Sequence, residues 1–270
     1  MKIISFNING IRAHIHQLKL IIKIHNPDII GLQETRVCDI DFPIEQLSVL
    51  GYDILFYGQK KYYGVAFFSR FKIINIQKGF LKNNDTTQKR IIIMDLDSSI
   101  GNIKIINCYF PQGENRNNLV KFQYKINFFN TLYKYIKNYL KPTDHIIIMG
   151  DINVTISNLD IGIGEKNRIK WLQIGKCSFL PEERFYVHQL LNWGLFDIWR
   201  IMHPKTNNKF SWFDYRSKGY QINQGLRIDN ILISKSLIRY YVDSDIDYFI
   251  RSMKCSSDHA PIWVEFRIFN

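Results

Sequence analysis

Short apolar runs rich in β-branched residues recur along this chain, and several stop abruptly at a polar or acidic residue. Asn7, Glu34 and Asp151 each follow or end such a run. Runs of this length and composition are typical of buried strands. The pattern predicts strands at 3–6, 29–33, 64–68, 90–95, 103–109, 146–150, 226–233 and 260–266.

Longer segments repeat apolar residues at helical spacing, which predicts helices at 15–25, 121–140 and 182–193. The second of them carries one apolar stripe that could lie on a sheet, formed by Phe122, Ile126, Phe129, Leu132 and Ile136. Many strands with a few amphipathic helices suit an α/β fold. We predict a four-layer α/β sandwich, in which two packed mixed β-sheets are flanked by helices and the polar strand ends gather at one edge.

The composition is even over all 270 residues, with 46% hydrophobic residues and no linker or low-complexity tract. We therefore expect a single domain over residues 1–270, and a monomer. The apolar start ends at Asn7, short of a signal peptide, and no apolar run approaches the roughly 18 residues of a membrane-spanning helix. The four cysteines are scattered, without the spacing of a disulfide framework or a zinc site. We therefore expect a cytoplasmic protein that does not associate with a membrane.

The formal net charge of +12 favours a polyanionic partner, because basic side chains release counterions from nucleic acid. Charge alone does not decide the partner. Ribosome-bound proteins, membrane-surface proteins and ordinary basic enzymes share it.

Polar residues with metal-binding or catalytic chemistry cluster at the predicted strand ends: Asn7, Glu34, Asp151, Asn153, Asp229, Asp258 and His259. Each one alone is more often a turn or cap residue, or a structural histidine. Gathered on one rim, however, the carboxylates would need a cation to neutralise them. Oxygen donors with a lone imidazole suit Mg²⁺, with Mn²⁺ as a substitute, better than zinc.

Phosphate chemistry is the reaction class that such a rim suits, because metal and oxyanion stabilisation must supply what one general base cannot. Asp229 could orient and charge-stabilise His259. A nucleophile elbow is absent from the sequence, and so is a phosphate-cradling P-loop. Aromatic and basic residues interleave at 210–218, where Trp212 and Arg216 could meet nucleic acid or simply form a packed strand and turn. Tyr109 could place its hydroxyl in the rim.

Eight collinear motifs resemble the exonuclease III branch of the endonuclease/exonuclease/phosphatase superfamily over about residues 1–268. They begin with Ser5-Phe6-Asn7-Ile8-Asn9-Gly10, Gly31-Leu32-Gln33-Glu34-Thr35, Tyr109-Phe110-Pro111-Gln112-Gly113 and Met149-Gly150-Asp151-Ile152-Asn153. They continue with Leu159-Asp160-Ile161-Gly162, the segment 210–216, Gly225-Leu226-Arg227-Ile228-Asp229 and Ser257-Asp258-His259-Ala260-Pro261.

The resemblance implies a role for each matching residue. Metal binding would fall to Asn7, Glu34, Asp151, Asn153, Asp258 and His259, with Glu34 as the principal ligand. Catalysis would fall to Tyr109, Asp151, Asn153, Asp229 and His259, with the general base left open between Asp151, His259 and a metal hydroxide. Substrate binding would fall to Arg90, Trp212, Arg216, Leu226 and Ile228, of which Trp212, Leu226 and Ile228 would wall a pocket for an extruded baseless sugar.

The implied activity is Mg²⁺-dependent hydrolysis of the phosphodiester 5′ to an abasic site in double-stranded DNA. Exonuclease action from 3′ ends and 3′-phosphatase action would accompany it, without an obligate protein partner. A lipid phosphatase or sphingomyelinase of the same superfamily is a second hypothesis. A DNA-binding protein with a degenerate site is a third.

Overall fold

The computed structural model describes residues 1–80 and 88–270. The strands in these ranges are β1 (Lys2–Asn7), β2 (Ile29–Gln33), β3 (Asp53–Tyr57), β4 (Val65–Ser69), β5 (Ile73–Lys78), β6 (Ile91–Leu96), β7 (Ile103–Tyr109), β8 (His145–Asp151), β9 (Leu195–Asp197), β10 (Asp229–Ser234), β11 (Tyr241–Ile246) and β12 (Ile262–Phe266). The helices are α1 (Ile11–His25), α2 (Ile44–Leu47), α3 (Leu119–Tyr139), α4 (Glu165–Gln173), α5 (Pro181–Trp193), α6 (Ile198–Met202), α7 (Lys235–Ile238) and α8 (Tyr248–Ser252).

The strands form two mixed six-stranded sheets. Their orders are β11-β12-β1-β2-β4-β3 and β5-β6-β7-β8-β10-β9. In each sheet the two central strands run parallel, β1 with β2 and β7 with β8. Parallel neighbours bring their carboxyl ends to one edge, which is why the polar residues that end these strands meet.

Apolar side chains fill the layers on both faces of the sheets. Between the sheets lie Phe67, Met94, Ile105, Met149 and Ile231 among others. Outside the second sheet, α3 and α5 bury a cluster that includes Phe129, Leu132, Ile148 and Leu190. Outside the first sheet, α1 and α8 bury Ile4, Leu18, Ile21, Leu32 and Ile250. The predicted four-layer sandwich is confirmed.

The two sheets are in close contact at Gly31 of β2. A Cβ on Gly31 would lie 2.3 Å from the Met149 methyl carbon of the facing sheet, so a larger residue there would require Met149 to move. Asn107 donates across the gap to the carbonyls of Leu32 and Ala66, at 3.0 and 2.9 Å. Gln33 donates in turn to the Asn107 Oδ1, at 2.7 Å. These buried bonds fix the two sheets against each other beside the polar edge.

The predicted strands and helices form, with shifted ends. The strand predicted at 226–233 begins only at Asp229, because the preceding backbone bonds elsewhere: Leu226 pairs with Trp212, and the Ile228 carbonyl accepts from the Ile152 N–H at 2.9 Å. The helix predicted from residue 15 already begins at Ile11. Within the described residues, no helix combines the length and hydropathy needed to cross a bilayer.

Candidate active site

The polar strand ends converge on one cavity of about 400 Å³ at the edge of the two sheets. Asn7, Tyr109 and Asp151 end β1, β7 and β8. Strands β10 and β12 run antiparallel to these, so their beginnings reach the same edge, and Asp229 lies directly opposite Asp151 in the register. The cavity lining includes Glu34, Tyr109, Asp151, Asn153, Asp258 and His259.

One amide group joins the two sheets at the base of this cavity. The buried Asn7 Nδ2 donates to Glu34 Oε1 and to Asp151 Oδ2, both at 3.0 Å. The side-chain oxygen of Asn7, Oδ1, accepts a hydrogen bond from the Asn9 N–H at 3.1 Å. Asn7 therefore fixes the distance between a carboxylate of the first sheet and one of the second.

His259 lies between two buried carboxylates. Its Nδ1 is 2.8 Å from Asp229 Oδ2, and its Nε2 is 3.8 Å from Asp151 Oδ2. Ser211 holds the Asp229 backbone by accepting from its N–H at 3.0 Å. Since Asp229 occupies Nδ1, the other ring nitrogen faces Asp151 and the cavity.

Burial and mutual charge perturb this group strongly. Burial, followed by the negative charge of Asp229, raises the pKa of Asp151 to about 8. Burial lowers the pKa of His259, but Asp229 and Asp151 outweigh it and raise that pKa to about 10. Near neutral pH, Asp151 and His259 therefore keep protons that the same groups would lose in water. Perturbed pKa values of this kind are common at functional sites.

The outer part of the site, formed by Glu34 and Tyr109, differs in charge state from the buried cluster of Asp151, Asp229 and His259. Burial works to raise the pKa of Glu34, yet Arg36 and the hydrogen bonds from Tyr109 and Asn7 hold that pKa below its ordinary value. Burial, with the Glu34 charge, raises the pKa of Tyr109 well above its usual range. Near neutral pH, therefore, the rim presents an ionised Glu34 beside a neutral phenol.

Asn153 follows Asp151 in a left-handed backbone conformation, with φ of 54°. Its N–H donates to Asp151 Oδ1 and its side-chain amide to Asp151 Oδ2, both at 3.0 Å. The same amide also donates to the Phe110 carbonyl at 3.1 Å. These bonds orient the Asp151 carboxylate and place Asn153 in the cavity wall.

Asp258 and Trp212 form the opposite wall. The indole Nε1 of Trp212 donates to Asp258 Oδ2 at 3.0 Å, and Asn9 donates to Asp258 Oδ1 at 2.7 Å. Ile228 and Trp171 also line the cavity. The cavity therefore has polar side chains at its floor and aromatic and aliphatic side chains along this wall.

The predicted substrate-binding residues occupy different places. Trp212, Arg216 and Ile228 line the cavity. Leu226 is fully buried behind them, and its backbone pairs with that of Trp212. Arg90 is also buried: its Nη1 donates to the Tyr109 carbonyl at 3.1 Å, and its guanidinium lies 4.6 Å from the centre of the Tyr109 ring. In this geometry Arg90 supports Tyr109 from behind.

Sequence reasoning missed several residues that shape the site. Asn9 holds Asp258, and Arg36 donates to Glu34 Oε2 from Nε at 2.9 Å and from Nη2 at 2.5 Å. Ser257 donates to the Asn7 carbonyl at 2.7 Å and accepts from the His259 N–H at 3.2 Å. Asn9, Glu34, Arg36 and Asn153 all have positive φ. Such strain clusters at functional sites, but it cannot be read from one sequence.

The donors at this site fit a hard divalent cation. Asp151, Asp229 and His259 offer ligand atoms within 4.8 Å of one another, but the imidazolium compensates one carboxylate and the raised pKa of Asp151 keeps the other largely protonated near neutral pH. On the other side of the cavity, two carboxylates, Glu34 and Asp258, lie beside one cation, Arg36, whose guanidinium binds the outer oxygen of Glu34. Among the described residues, the buried Asn9 Oδ1 is one acceptor without a hydrogen-bond partner. Oxygen atoms of this kind are the usual ligands of such cations.

Residues 4–259 match the endonuclease/exonuclease/phosphatase family, and the chain belongs to that family. Within it, the chain is a homologue of exodeoxyribonuclease III and a nuclease of the hydrolase class. It is 51% identical to the exodeoxyribonuclease III of Haemophilus influenzae over 267 residues, which cover 99% of this chain and 100% of the relative.

Solved structures agree with this assignment. The 3′ phosphatase NExo from Neisseria, solved with a product DNA hairpin, superposes with a TM-score of 0.88 at 30% identity, covering 98% of this chain and 99% of the other. An AP endonuclease from Archaeoglobus fulgidus gives 0.89 at 29% identity, with the same coverage.

Proposed function

We propose that this protein is a DNA repair nuclease that hydrolyses the phosphodiester 5′ to abasic sites in double-stranded DNA, leaving a 3′-hydroxyl. Exonuclease action from 3′ ends and removal of 3′ phosphates belong to the same proposal. The observation that carries it is a single cavity lined by Asp151, His259, Glu34 and the Trp212 wall, with Asp229 buried behind His259. The Haemophilus relative and the Neisseria and Archaeoglobus structures support the same chemistry.

Mg²⁺ is the proposed cofactor, with Mn²⁺ as a substitute. Glu34 and Asp258 would hold it, and the Asn7 amide would keep Glu34 in place. When bound, such a cation polarises a phosphate oxygen and stabilises the leaving oxygen.

The remaining roles follow from protonation and geometry. His259, with a pKa raised to about 10, carries a proton at neutral pH, so its Nε2–H suits a phosphate oxygen as a hydrogen-bond donor. Tyr109 is a second neutral donor at the same cavity. Asp151, whose pKa is raised to about 8, suits the acceptor of a proton from the attacking water in those molecules in which its carboxylate is ionised. Asn153 would orient that water beside it.

Specificity is proposed to arise at the wall formed by Trp212 and Ile228, with Leu226 supporting it from behind. A sugar without a base would enter the cavity of about 400 Å³, whereas a nucleotide with its base would meet the indole. Arg216, on the cavity rim, and the excess positive charge of the chain suit the flanking phosphates.

We place this activity in the cytoplasm, in one catalytic domain over residues 1–270, without an obligate protein partner. The four cysteines are unpaired, which suits a reducing compartment. Both sheets contribute to the one site, which supports a single catalytic unit.

The test is cleavage of a labelled duplex that carries one tetrahydrofuran abasic analogue, with Mg²⁺ and then with EDTA, beside a matched intact duplex. A Mg²⁺-dependent nick 5′ to the analogue is expected. Digestion of both duplexes from their 3′ ends, without preference for the analogue, would agree with the proposed metal site but would contradict the proposed pocket for a baseless sugar. Cleavage of neither duplex would contradict the proposal.

Two variants of one residue test the pocket separately from the hydrogen bond to Asp258. Trp212→Phe keeps the aromatic wall and loses the Nε1 donor, so preference for the analogue should persist. Trp212→Ala removes both, and the preference should fall by at least about tenfold, which corresponds to the loss of a contact of about 1.4 kcal/mol. Equal preference in all three proteins would show that the wall does not select the substrate.

A further inference from the structure

A fully buried ion pair lies beneath the loops that carry the active-site residues. Lys125 on α3 and Glu183 on α5 form it, and both side chains have 0% exposure. Replacing such a pair by apolar residues is often neutral or stabilising, because desolvating two charges is costly. Stability alone is therefore a weak reason for this pair.

The Lys125 ammonium contacts both loops that follow the central strands of the second sheet. Its Nζ donates to the Gln112 carbonyl at 3.2 Å and to the Asn153 carbonyl at 2.9 Å, and it also donates to Glu183 Oε1. Three donors meet three acceptors, so the ammonium is fully used. Gln112 follows Tyr109, and Asn153 follows Asp151.

Glu183 connects a third loop to the same point. Its Oε2 accepts from the Ser178 N–H at 2.9 Å and from the Leu180 N–H at 2.8 Å, where α5 begins. The Ser178 carbonyl accepts from the Thr155 N–H at 2.7 Å. Gln112, Asn153 and Ser178 all line the active-site cavity.

The contact with Asn153 has a specific consequence. Asparagine adopts a left-handed backbone more readily than most residues, but the surroundings still help to hold Asn153 in it. Asp151 holds the Asn153 N–H, and Lys125 holds the carbonyl. Without Lys125, the residue next to the Asp151 carboxylate loses one of its two backbone restraints.

We propose that Lys125 and Glu183 form a positioning unit for the reaction: through the Asn153 and Gln112 carbonyls and the Ser178 amide, they fix three loops of the cavity in their productive geometry. This inference rests on the proposed function, because it assumes that Asn153 orients the attacking water. Neither residue touches the cavity, so both act through others.

The main test is the double variant Lys125→Met/Glu183→Gln. It removes both charges, while the glutamine oxygen can still accept from Ser178 and Leu180. We expect kcat on the abasic duplex to fall about 10- to 100-fold, the usual loss when a supporting group around a site is removed. The KM should stay within about threefold, and the urea midpoint close to that of the wild type. A purely structural pair would instead leave kcat unchanged once the variant is folded.

A double-mutant cycle shows whether Lys125 acts through Asn153. If it does, combining Asn153→Ala with the double variant should lower kcat by clearly less than the product of the two separate effects. Fully multiplicative effects would overturn the inference, and so would a kcat within twofold of the wild type in the double variant. If that variant does not fold, Lys125→Gln/Glu183→Gln takes its place, and the same outcomes decide.

Lys104→Met/Asp95→Asn is the matched control. This pair is partly buried and bridges β6 and β7, and Lys104 lies five residues before Tyr109, roughly 17 Å along the strand. Its kcat should equal that of the wild type, and an equal loss there would overturn the inference. If the wild type itself cleaves neither duplex, the proposed function fails. If the wild type is active and the double variant is equally active, only the positioning unit fails.

Discussion

Asp229→Asn removes one negative charge from the buried cluster and leaves its shape almost unchanged. Asp229 is 1% exposed, and its Oδ2 lies 2.8 Å from the His259 Nδ1. The Ser211 hydroxyl holds the Asp229 backbone and does not depend on the side chain. The fold should therefore tolerate the change.

The expected loss follows from that one contact. A hydrogen bond to a charged group contributes about 1.5–3 kcal/mol. Because about 1.4 kcal/mol corresponds to a factor of ten, kcat should fall roughly 10- to 150-fold. The carboxylate of Asp229 is also the largest influence that raises the pKa of His259. In the variant, burial is opposed mainly by Asp151, so this pKa should fall.

Two measurements check this prediction. Single-turnover cleavage of the abasic duplex gives the rate, and NMR titration of the metal-free protein gives the pKa of His259, assigned with a His259→Gln variant. Asp95→Asn, in the same sheet but far from the cavity, is the control and should change neither. An unchanged pKa of His259 in Asp229→Asn would refute the electrostatic reasoning. A lowered pKa with a normal rate would refute the catalytic role.

Three further predictions concern the metal, the fold and pH. Glu34→Gln should raise the Mg²⁺ concentration for half-maximal cleavage at least about tenfold, because a neutral amide replaces a charged ligand; Mn²⁺ calorimetry checks the affinity directly. Arg227→Met should lower the free energy of unfolding in urea by about 3–5 kcal/mol, since it leaves the buried Asp197 carboxylate without its ionic partner and leaves Asp160 with Arg200 alone. The pKa of His259 is raised in the folded state, so its stabilisation is full below about pH 6.5 and is lost as pH rises through about 10. The free energy of unfolding of the metal-free wild type should therefore exceed that of His259→Gln by less at pH 10 than at pH 6.

The internal strands could be predicted from sequence, whereas the edge strands could not. The strands that periodicity failed to find, β3, β5, β9 and β11, are the outermost strands of the two sheets. A central strand is buried on both faces and becomes a continuous apolar run. An edge strand such as β5 is largely exposed, and β9 has only three residues, so neither carries that pattern. For these segments, pairing with a neighbour and not composition decided the structure.

The sequence alone determined which residues could carry the chemistry. Asn7, Glu34 and Asp151 stand at the ends of apolar runs, and the resemblance of the motifs named the remaining candidates. The strand ends also indicated correctly that these groups would meet at one edge, because that depends only on local pattern and sheet geometry.

Only the tertiary structure decided how the candidates are used. It placed Arg90 and Leu226 behind the cavity and brought Asn9 and Arg36 into contact with the acidic rim. It also set Lys125 beneath Asn153. Apart from the contact of Arg36 with Glu34, these contacts join residues that are distant in sequence, and their strength depends on burial and on distances of a few ångströms. Neither quantity exists until the two sheets have packed, which is the physical reason why the sequence could name the groups but not their arrangement.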